Sequence, residues 1–389
     1  MTYADNRIII DADSHLIELD DFLHQAASDA DISLIRPMDE QRELPVVHTG
    51  LVRGRELFAK RQANPETMAK FEAGLLDNTK SGWNRLGAFD KDERSHALDL
   101  FGFKIQWVLP TFAFHQVAHV DEPVVLEAGA RTLNRAMGEF CNHDERLKAI
   151  GYLPLSLGAE VALRLMKQGF ADGCYSFMID TNEPDPEKRS FTHPDFDDIW
   201  AEFAVSKRPV VNHVAVNGHY RAISPSFKNN GKTQIELGGD APAGEIGLMN
   251  IGVSAQIFLG AMIYDGVFDR HPGLKAISME HAAFWLPSWL RSIEYTTSVF
   301  KRKRTFKQLP IDIAHERIKV SPFAGEPVGW VIDNVGSDML VFASDYPHPE
   351  GTRDPIGKFE AAMDNCSDEV MDKFYYRNME DLMGIRIQP

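Results

Sequence analysis

Ile8-Ile9-Ile10-Asp11-Ala12-Asp13-Ser14-His15 opens as a run of branched apolar residues and ends in three polar side chains spaced by two. The apolar half suits a strand buried on both faces, the habit of parallel sheets. Alternate residues of a strand share a side, so the spacing predicts that Asp11, Asp13 and His15 point one way. Two carboxylates and an imidazole converging at a buried strand end are costly unless positive charge sits among them. A divalent metal is the simplest candidate. A polar strand end followed by a helix cap explains this segment alone equally well.

Outward from that stretch, strand-like and helix-like segments alternate. Strand candidates lie near residues 7–11, 104–109, 147–152, 173–179, 209–212, 274–279, 318–320 and 339–342. Helical spacing runs through Glu18–Ala30, Val124–Cys141 and Ala283–Arg304, among others. Eight β-then-α units predict an α/β fold, a (β/α)8 TIM barrel forming a single domain over 1–389. An open doubly wound sheet is the alternative. Its nucleotide-binding form needs a glycine-rich turn after the first strand, and Asp11–Leu16 contains no glycine. Residues 31–90 and 214–247 break the rhythm with Gly, Asn, Pro and charged residues and read as insertions after the first and fifth strands. Both then fall on the active-site face, where they are expected to cover the pocket, with a contact in a homodimer or higher homo-oligomer among their roles.

Composition limits the partners. With 41 Lys and Arg against 57 Asp and Glu, the net charge is −16. That sign disfavours nucleic acid and anionic membrane surfaces and leaves a small-molecule substrate. Three scattered cysteines, Cys141, Cys174 and Cys366, make no disulfide framework. No apolar run is expected to reach the ~18 residues of a membrane span, and Met1–Arg7 lacks a basic-then-apolar leader. The expected location is cytoplasmic.

A barrel places reactive side chains at the C-terminal ends of its strands. His15 follows the first strand candidate, His213 ends the fifth, His281 the sixth, and Asp345 lies just past the eighth in Phe342-Ala343-Ser344-Asp345-Tyr346-Pro347-His348. A lone histidine at such a place is usually a core or loop residue. Four groups of metal-ligand type at equivalent ends point to one metal site.

Asp-Ala-Asp-Ser-His, the fifth-strand histidine, Met279-Glu280-His281 and Ser344-Asp345-Tyr346-Pro347-His348 together resemble the amidohydrolase superfamily. The resemblance is strongest to its amidohydrolase-related branch, which includes aminocarboxymuconate semialdehyde decarboxylase and the nonoxidative aromatic-acid decarboxylases. Phe374-Tyr375-Tyr376-Arg377-Asn378-Met379 is similar to that branch's closing segment. The resemblance implies metal ligands Asp13, His15, His213 and Asp345, with His281 as the neighbouring acid/base or substrate-activating imidazole. The family's first motif is often His-x-His or Glu-x-His. Asp13-Ser14-His15 makes the site harder, so Mn2+ competes with Zn2+. The fourth strand, Cys174–Ile179, lacks the lysine that binuclear branches carboxylate, which favours one metal.

Other polar and aromatic residues carry two readings each. Asp11 either orients a ligand histidine or belongs to the upper barrel layer; Glu18 fits a first-turn acid on a helix dipole. His115 and His119, four apart, suit a metal-binding helix face or a pocket wall beside Phe112 and Phe114. His348, Phe112, His115 and Trp285 are candidates for substrate contact, and Trp107 adds to the aromatic lining. Arg94 resembles the decarboxylases' carboxylate-binding arginine in position, against the alternative of a surface helix arginine. Decarboxylation of a small aromatic or unsaturated acid, with Asp345 or His281 supplying the proton, is the leading expectation. Hydrolysis of an ester, lactone or amide through a metal-bound water is the alternative, and a barrel that binds metal without catalysis is a third.

Overall fold

The computed structural model describes residues 2–36, 45–77, 82–118, 120–221, 231–233, 244–348 and 351–387. Among these, eight short strands alternate with helices, and the paired strands run parallel. The chain forms two compact units. One comprises Met1–Pro154, Arg164–Phe177 and Ser344–Ile356, the other Leu155–Leu163, Met178–Ala343 and Gly357–Pro389.

The first unit carries β1 (Ile10–Asp11), β2 (His15–Leu16), β3 (Ile105–Pro110) and β4 (Leu147–Pro154). β3 pairs with the other three. Its register with the first strand slips: Asp11 faces Gln106, whereas His15 faces Leu109. Four steps on one side meet three on the other, so one extra residue bulges out between Asp11 and His15. The bulge reverses the alternation and corrects the sequence expectation. Asp11 shares a side with Gln106, His15 with Leu109, and the two point apart. Ser14 secures the irregular backbone by donating its N–H (3.1 Å) and hydroxyl (2.6 Å) to the Trp107 carbonyl.

Helices pack on this ladder for local reasons. Lys91–Phe101 starts where the Asp90 side chain accepts the Glu93 N–H (2.9 Å), and it stops at Gly102, whose left-handed φ of +75° favours a residue without Cβ. Its buried residues, Glu93, Arg94, Ala97, Leu98 and Phe101, recur at three- and four-residue intervals, so two charged side chains are carried inward. Asn134, on helix Pro123–Cys141, docks like a strand partner: its amide accepts the Tyr152 N–H (2.7 Å) and donates to the Tyr152 carbonyl (3.0 Å). The 31–90 stretch, expected as an insertion that breaks the strand–helix rhythm, contains helices Pro45–Ala63 and Pro65–Ala73. The expected helix over Glu18–Ala30 is only Phe22–Ala26.

β5 (Cys174–Asp180) begins in the first unit and ends in the second. The second unit holds β6 (Val210–His213), β7 (Ala276–Met279) and β8 (Ile318–Val320), with His213 opposite Met279 and Ser278 opposite Val320. No strand forms at 339–342, contrary to expectation; Leu340 makes an isolated bridge to Val320. The reason lies in the closing segment. The Phe342 N–H donates to the Phe374 carbonyl (3.0 Å), and Asn378 donates to the carbonyls of Ser337 and Leu340 (2.8 Å each). Among the described residues, pairing with β8 is limited to Val320, which donates to the Met339 carbonyl (2.8 Å) and accepts the Val341 N–H (3.1 Å); the neighbouring backbone groups turn to the closing segment. Gly244–Tyr264 is long and apolar enough to cross a membrane, with a window hydropathy of 1.7, but helix Val253–Tyr264 within it buries Phe258, Leu259, Met262 and Ile263 as a core helix does. Most of 214–247, and with it the second of the two stretches expected to cover the pocket, lies outside the described residues.

Candidate metal centre and active site

In the first unit, Asp13, His15, Asp345 and His348 come together from both ends of the chain. His15 Nε2 lies 3.4 Å from Asp13 Oδ1 and 3.8 Å from Asp345 Oδ1, and His348 Nδ1 lies 3.2 Å from that same Asp345 oxygen. His15, Asp345 and His348 each offer a ligand atom within 4.8 Å of the others. The rings of His15 and His348 stack with centroids 3.7 Å apart. Asp13, His15 and His348 are fully buried. Carboxylate oxygens and imidazole nitrogens packed this closely, out of water, are the donor set of a divalent cation such as Zn2+ or Mn2+. The residues fit such an ion.

The backbone that carries them is tied together. His15 N–H donates to the Tyr346 carbonyl (2.6 Å) and Asp345 N–H to the Asp13 carbonyl (2.9 Å). Asp345 itself has φ +55°, a left-handed conformation rarely adopted outside glycine and its like. Asp11 stands behind this junction, accepting from Ser344 N–H (2.8 Å), Ser344 Oγ (2.6 Å) and Gln106 Nε2 (2.8 Å). Burial pushes the Asp11 carboxyl up to about 6, partly offset by those hydrogen bonds.

Arg94 belongs to the same support. It is buried, not a surface residue, and its guanidinium donates to the Gly87 carbonyl (2.7 Å), to Gln106 Oε1 (3.0 Å) and to the His15 carbonyl. Those bonds hold the backbone of His15 and engage the guanidinium expected to take up a substrate carboxylate. Glu18 also has a different task from the one its position implied. It accepts the N–H groups of Thr111 (2.8 Å), Phe112 (2.8 Å) and Ala113 (3.2 Å), capping helix Phe112–Ala118 and not the helix that follows it in sequence. Burial pushes its carboxyl up to about 7.

In the second unit, His213 ends β6 with Nε2 3.4 Å from Glu280 Oε2. Its Nδ1 accepts the Ala215 N–H (3.2 Å), so ligation through Nε2, which puts the ring proton on Nδ1, requires that contact to be released. His281 is buried, with Nδ1 3.0 Å from Ser278 Oγ. Its neighbours Glu280 and Ala282 have φ of +56° and +59°. Glu326 anchors this strained turn, accepting from Ala283 (2.8 Å), Phe284 (3.0 Å) and Phe323 (2.5 Å) N–H groups.

The aromatic candidates take ordinary packing places. Phe112 packs on Trp83 (4.9 Å), Phe114 on Tyr152 (5.2 Å) and His115 edge-on to Phe114 (5.3 Å). Trp107 meets Tyr175 at 5.4 Å. Trp285 lies buried against Trp289 (5.5 Å), its N–H donated to the Ala282 carbonyl (2.8 Å). His119 lies outside the described residues. A cleft of about 1060 Å³ opens elsewhere in the first unit, lined by Leu57, Phe71, Leu75 and Arg353 among others, and none of the four clustered residues lines it.

Sequence reasoning assigned no role to Thr111, Glu280, Ser344 or Glu326. Thr111 and Glu280 each sit just past a strand end, which is the signal that could have found them.

An amidohydrolase family model matches residues 10–385. The chain therefore belongs to the amidohydrolase family and is an enzyme. Among solved structures it is similar to an amidohydrolase from Mycobacterium avium subsp. paratuberculosis K-10, with 20% identity, a TM-score of 0.72 and coverage of 97% of this chain and 100% of that one. It is similar to 5-carboxyvanillate decarboxylase from Novosphingobium aromaticivorans, solved with manganese, at 18% identity, a TM-score of 0.64 and 98% coverage of both chains. A manganese-containing dihydroxybenzoic acid decarboxylase from Polaromonas sp. JS666 matches at 15% identity and a TM-score of 0.59, over 97% of each chain. These likenesses establish a TIM-like α/β fold. A search of curated proteins gives no match.

Proposed function

We propose that this enzyme removes CO2 from a small aromatic or unsaturated carboxylic acid, using one divalent cation held by Asp13, His15, His213 and Asp345. The observation that carries the reading is the buried cluster of Asp13, His15, Asp345 and His348, whose oxygen and nitrogen donors suit such an ion. The similarity to two aromatic-acid decarboxylases supports the choice of reaction. Zn2+ is the proposed ion, with Mn2+ the alternative.

When bound, the cation supplies positive charge that fixes the substrate's carboxylate and an adjacent oxygen. The chain's own residues do the rest. As the carbon–carbon bond breaks, its electron pair stays on the substrate carbon, which takes a proton from the carboxyl of Asp345 or the ring of His281. Asp11, Arg94 and Ser344 keep the Asp345 and His15 backbones in place. Phe112, His115, His348 and Trp285 are the proposed substrate contacts.

The family description and the similarity to an amidohydrolase favour a second reading, hydrolysis of an ester, lactone or amide. There Asp345 accepts a proton from the attacking water and His281 steadies the developing oxyanion.

Purified protein reconstituted with Zn2+ or Mn2+ and offered a panel of hydroxybenzoates should release CO2 with about one metal equivalent bound. Turnover confined to esters, lactones or amides would move the assignment to the hydrolase. Absence of a stoichiometric metal would overturn both.

A further inference from the structure

His15 Nδ1 lies 3.3 Å from Thr111 Oγ1, Thr111 Oγ1 lies 2.8 Å from His348 Nε2, and His348 Nδ1 lies 3.2 Å from Asp345 Oδ1. All four residues belong to the first unit. Thr111 cannot swing away: it is 4% exposed, and its N–H is held by Glu18. A hydroxyl has one proton to give, and a neutral imidazole has one. The line of contacts therefore has a direction.

We propose that Thr111 is a positioning residue that fixes the tautomers of both histidines. His15 Nδ1–H donates to Thr111 Oγ1, the Thr111 hydroxyl donates to His348 Nε2, and His348 Nδ1–H donates to Asp345 Oδ1. Two constraints agree on this direction. The contact of His348 Nδ1 with a carboxylate oxygen favours a proton on that nitrogen, since a lone pair there would face negative charge. The second rests on the proposed function: if His15 gives its Nε2 lone pair to a cation, its ring proton must sit on Nδ1, facing Thr111. Reversing the line would place a proton on His15 Nε2 and take up the lone pair that a cation between Asp13 and Asp345 requires. Thr111 thus couples the ligand histidine to the orientation of the carboxyl proposed to move the proton.

The test uses full-length protein with 15N-labelled histidine, loaded with Zn2+, and long-range proton–nitrogen correlation of the rings. The expected result is a proton on Nδ1 of both His15 and His348. Thr111→Val, which keeps the shape and removes the hydroxyl, should release the fixed His348 tautomer and weaken Zn2+ binding by about 10- to 100-fold. Thr111→Ser should restore both. A proton on His348 Nε2 in the wild type, or tautomers and Zn2+ affinity unchanged in Thr111→Val, would overturn the proposal. Should the wild type bind no Zn2+, the metal reading fails, and the His348 tautomer in the metal-free protein still decides the relay.

Discussion

The Asp11 carboxylate accepts both the backbone N–H and the hydroxyl of Ser344, at 2.8 and 2.6 Å, across 333 residues of sequence. That clasp joins the end of the first strand to the residue beside Asp345, and Gln106 and Arg94 extend it to the backbone of His15. Asp11 therefore acts on the site without facing it.

Asp11→Ala removes the acceptor shared by four buried donors, Ser344 N–H, Ser344 Oγ, Gln106 Nε2 and the Asp13 N–H. The expected loss is about 2–4 kcal/mol of stability, since each stranded buried donor carries a desolvation penalty. Urea unfolding should show a lower midpoint at unchanged slope. A loss under about 0.5 kcal/mol, the level of an ordinary surface substitution, would mean the clasp is dispensable.

Glu18 gives a pH signature. Burial raises its carboxyl from 4.5 to about 7, against the amide groups that favour the charged form. A raised carboxyl stabilises the fold while protonated, so its contribution is complete below pH 4.5 and is lost as pH rises through about 7. Glu18→Gln cannot ionise. Relative to that variant, wild-type stability should fall by about 1–3 kcal/mol between those limits. Parallel pH profiles for the two proteins would contradict the assignment.

Arg61 and Glu93 form a buried bidentate pair, Nε–Oε1 2.5 Å and Nη2–Oε2 2.6 Å, with Arg61 also over the Phe71 ring at 4.8 Å. Glu93 accepts the Gly87 N–H (3.1 Å), and the Gly87 carbonyl accepts Arg94. Arg61→Met leaves a buried carboxylate uncompensated and should cost about 3–5 kcal/mol, with Arg61→Met/Glu93→Gln recovering part of it. A double-mutant cycle with coupling below about 0.5 kcal/mol would show the two acting independently.

Much of this layout was legible in the sequence because apolar runs bounded by turn residues report strands locally. The run expected over 104–109 is Ile105–Pro110, and that over 173–179 is Cys174–Asp180. What stayed hidden depends on partners far along the chain. The bulge after Asp11 exists only relative to β3, and parity counting within the first strand cannot reveal it. Glu18 caps a helix 93 residues downstream. The stretch after β8 reads as a strand by composition, yet only Met339 and Val341 bond to Val320 of β8, while Leu340 and Phe342 turn to Asn378 and Phe374. The motif residues Asp13, His15, Asp345 and His348 could be named from sequence, whereas Thr111, which joins two of them, carries no motif.

Asp345 is the residue on which the proposed chemistry turns. Its Oδ1 is shared between His15 Nε2 (3.8 Å) and His348 Nδ1 (3.2 Å), and its N–H is fixed by the Asp13 carbonyl (2.9 Å). Asp345→Asn keeps the shape and the backbone bond but replaces an ionisable oxygen donor with an amide that neither titrates nor ligates well. Turnover should fall by at least about 10²–10⁴-fold, the usual worth of a general acid or base, with more lost if metal affinity falls too. Circular dichroism and the unfolding midpoint should stay near wild type. Measuring Zn2+ binding alongside CO2 release separates the two contributions. A variant that binds metal normally yet turns over slowly assigns Asp345 to proton transfer, one that loses metal assigns it to ligation, and wild-type rates would remove it from the mechanism.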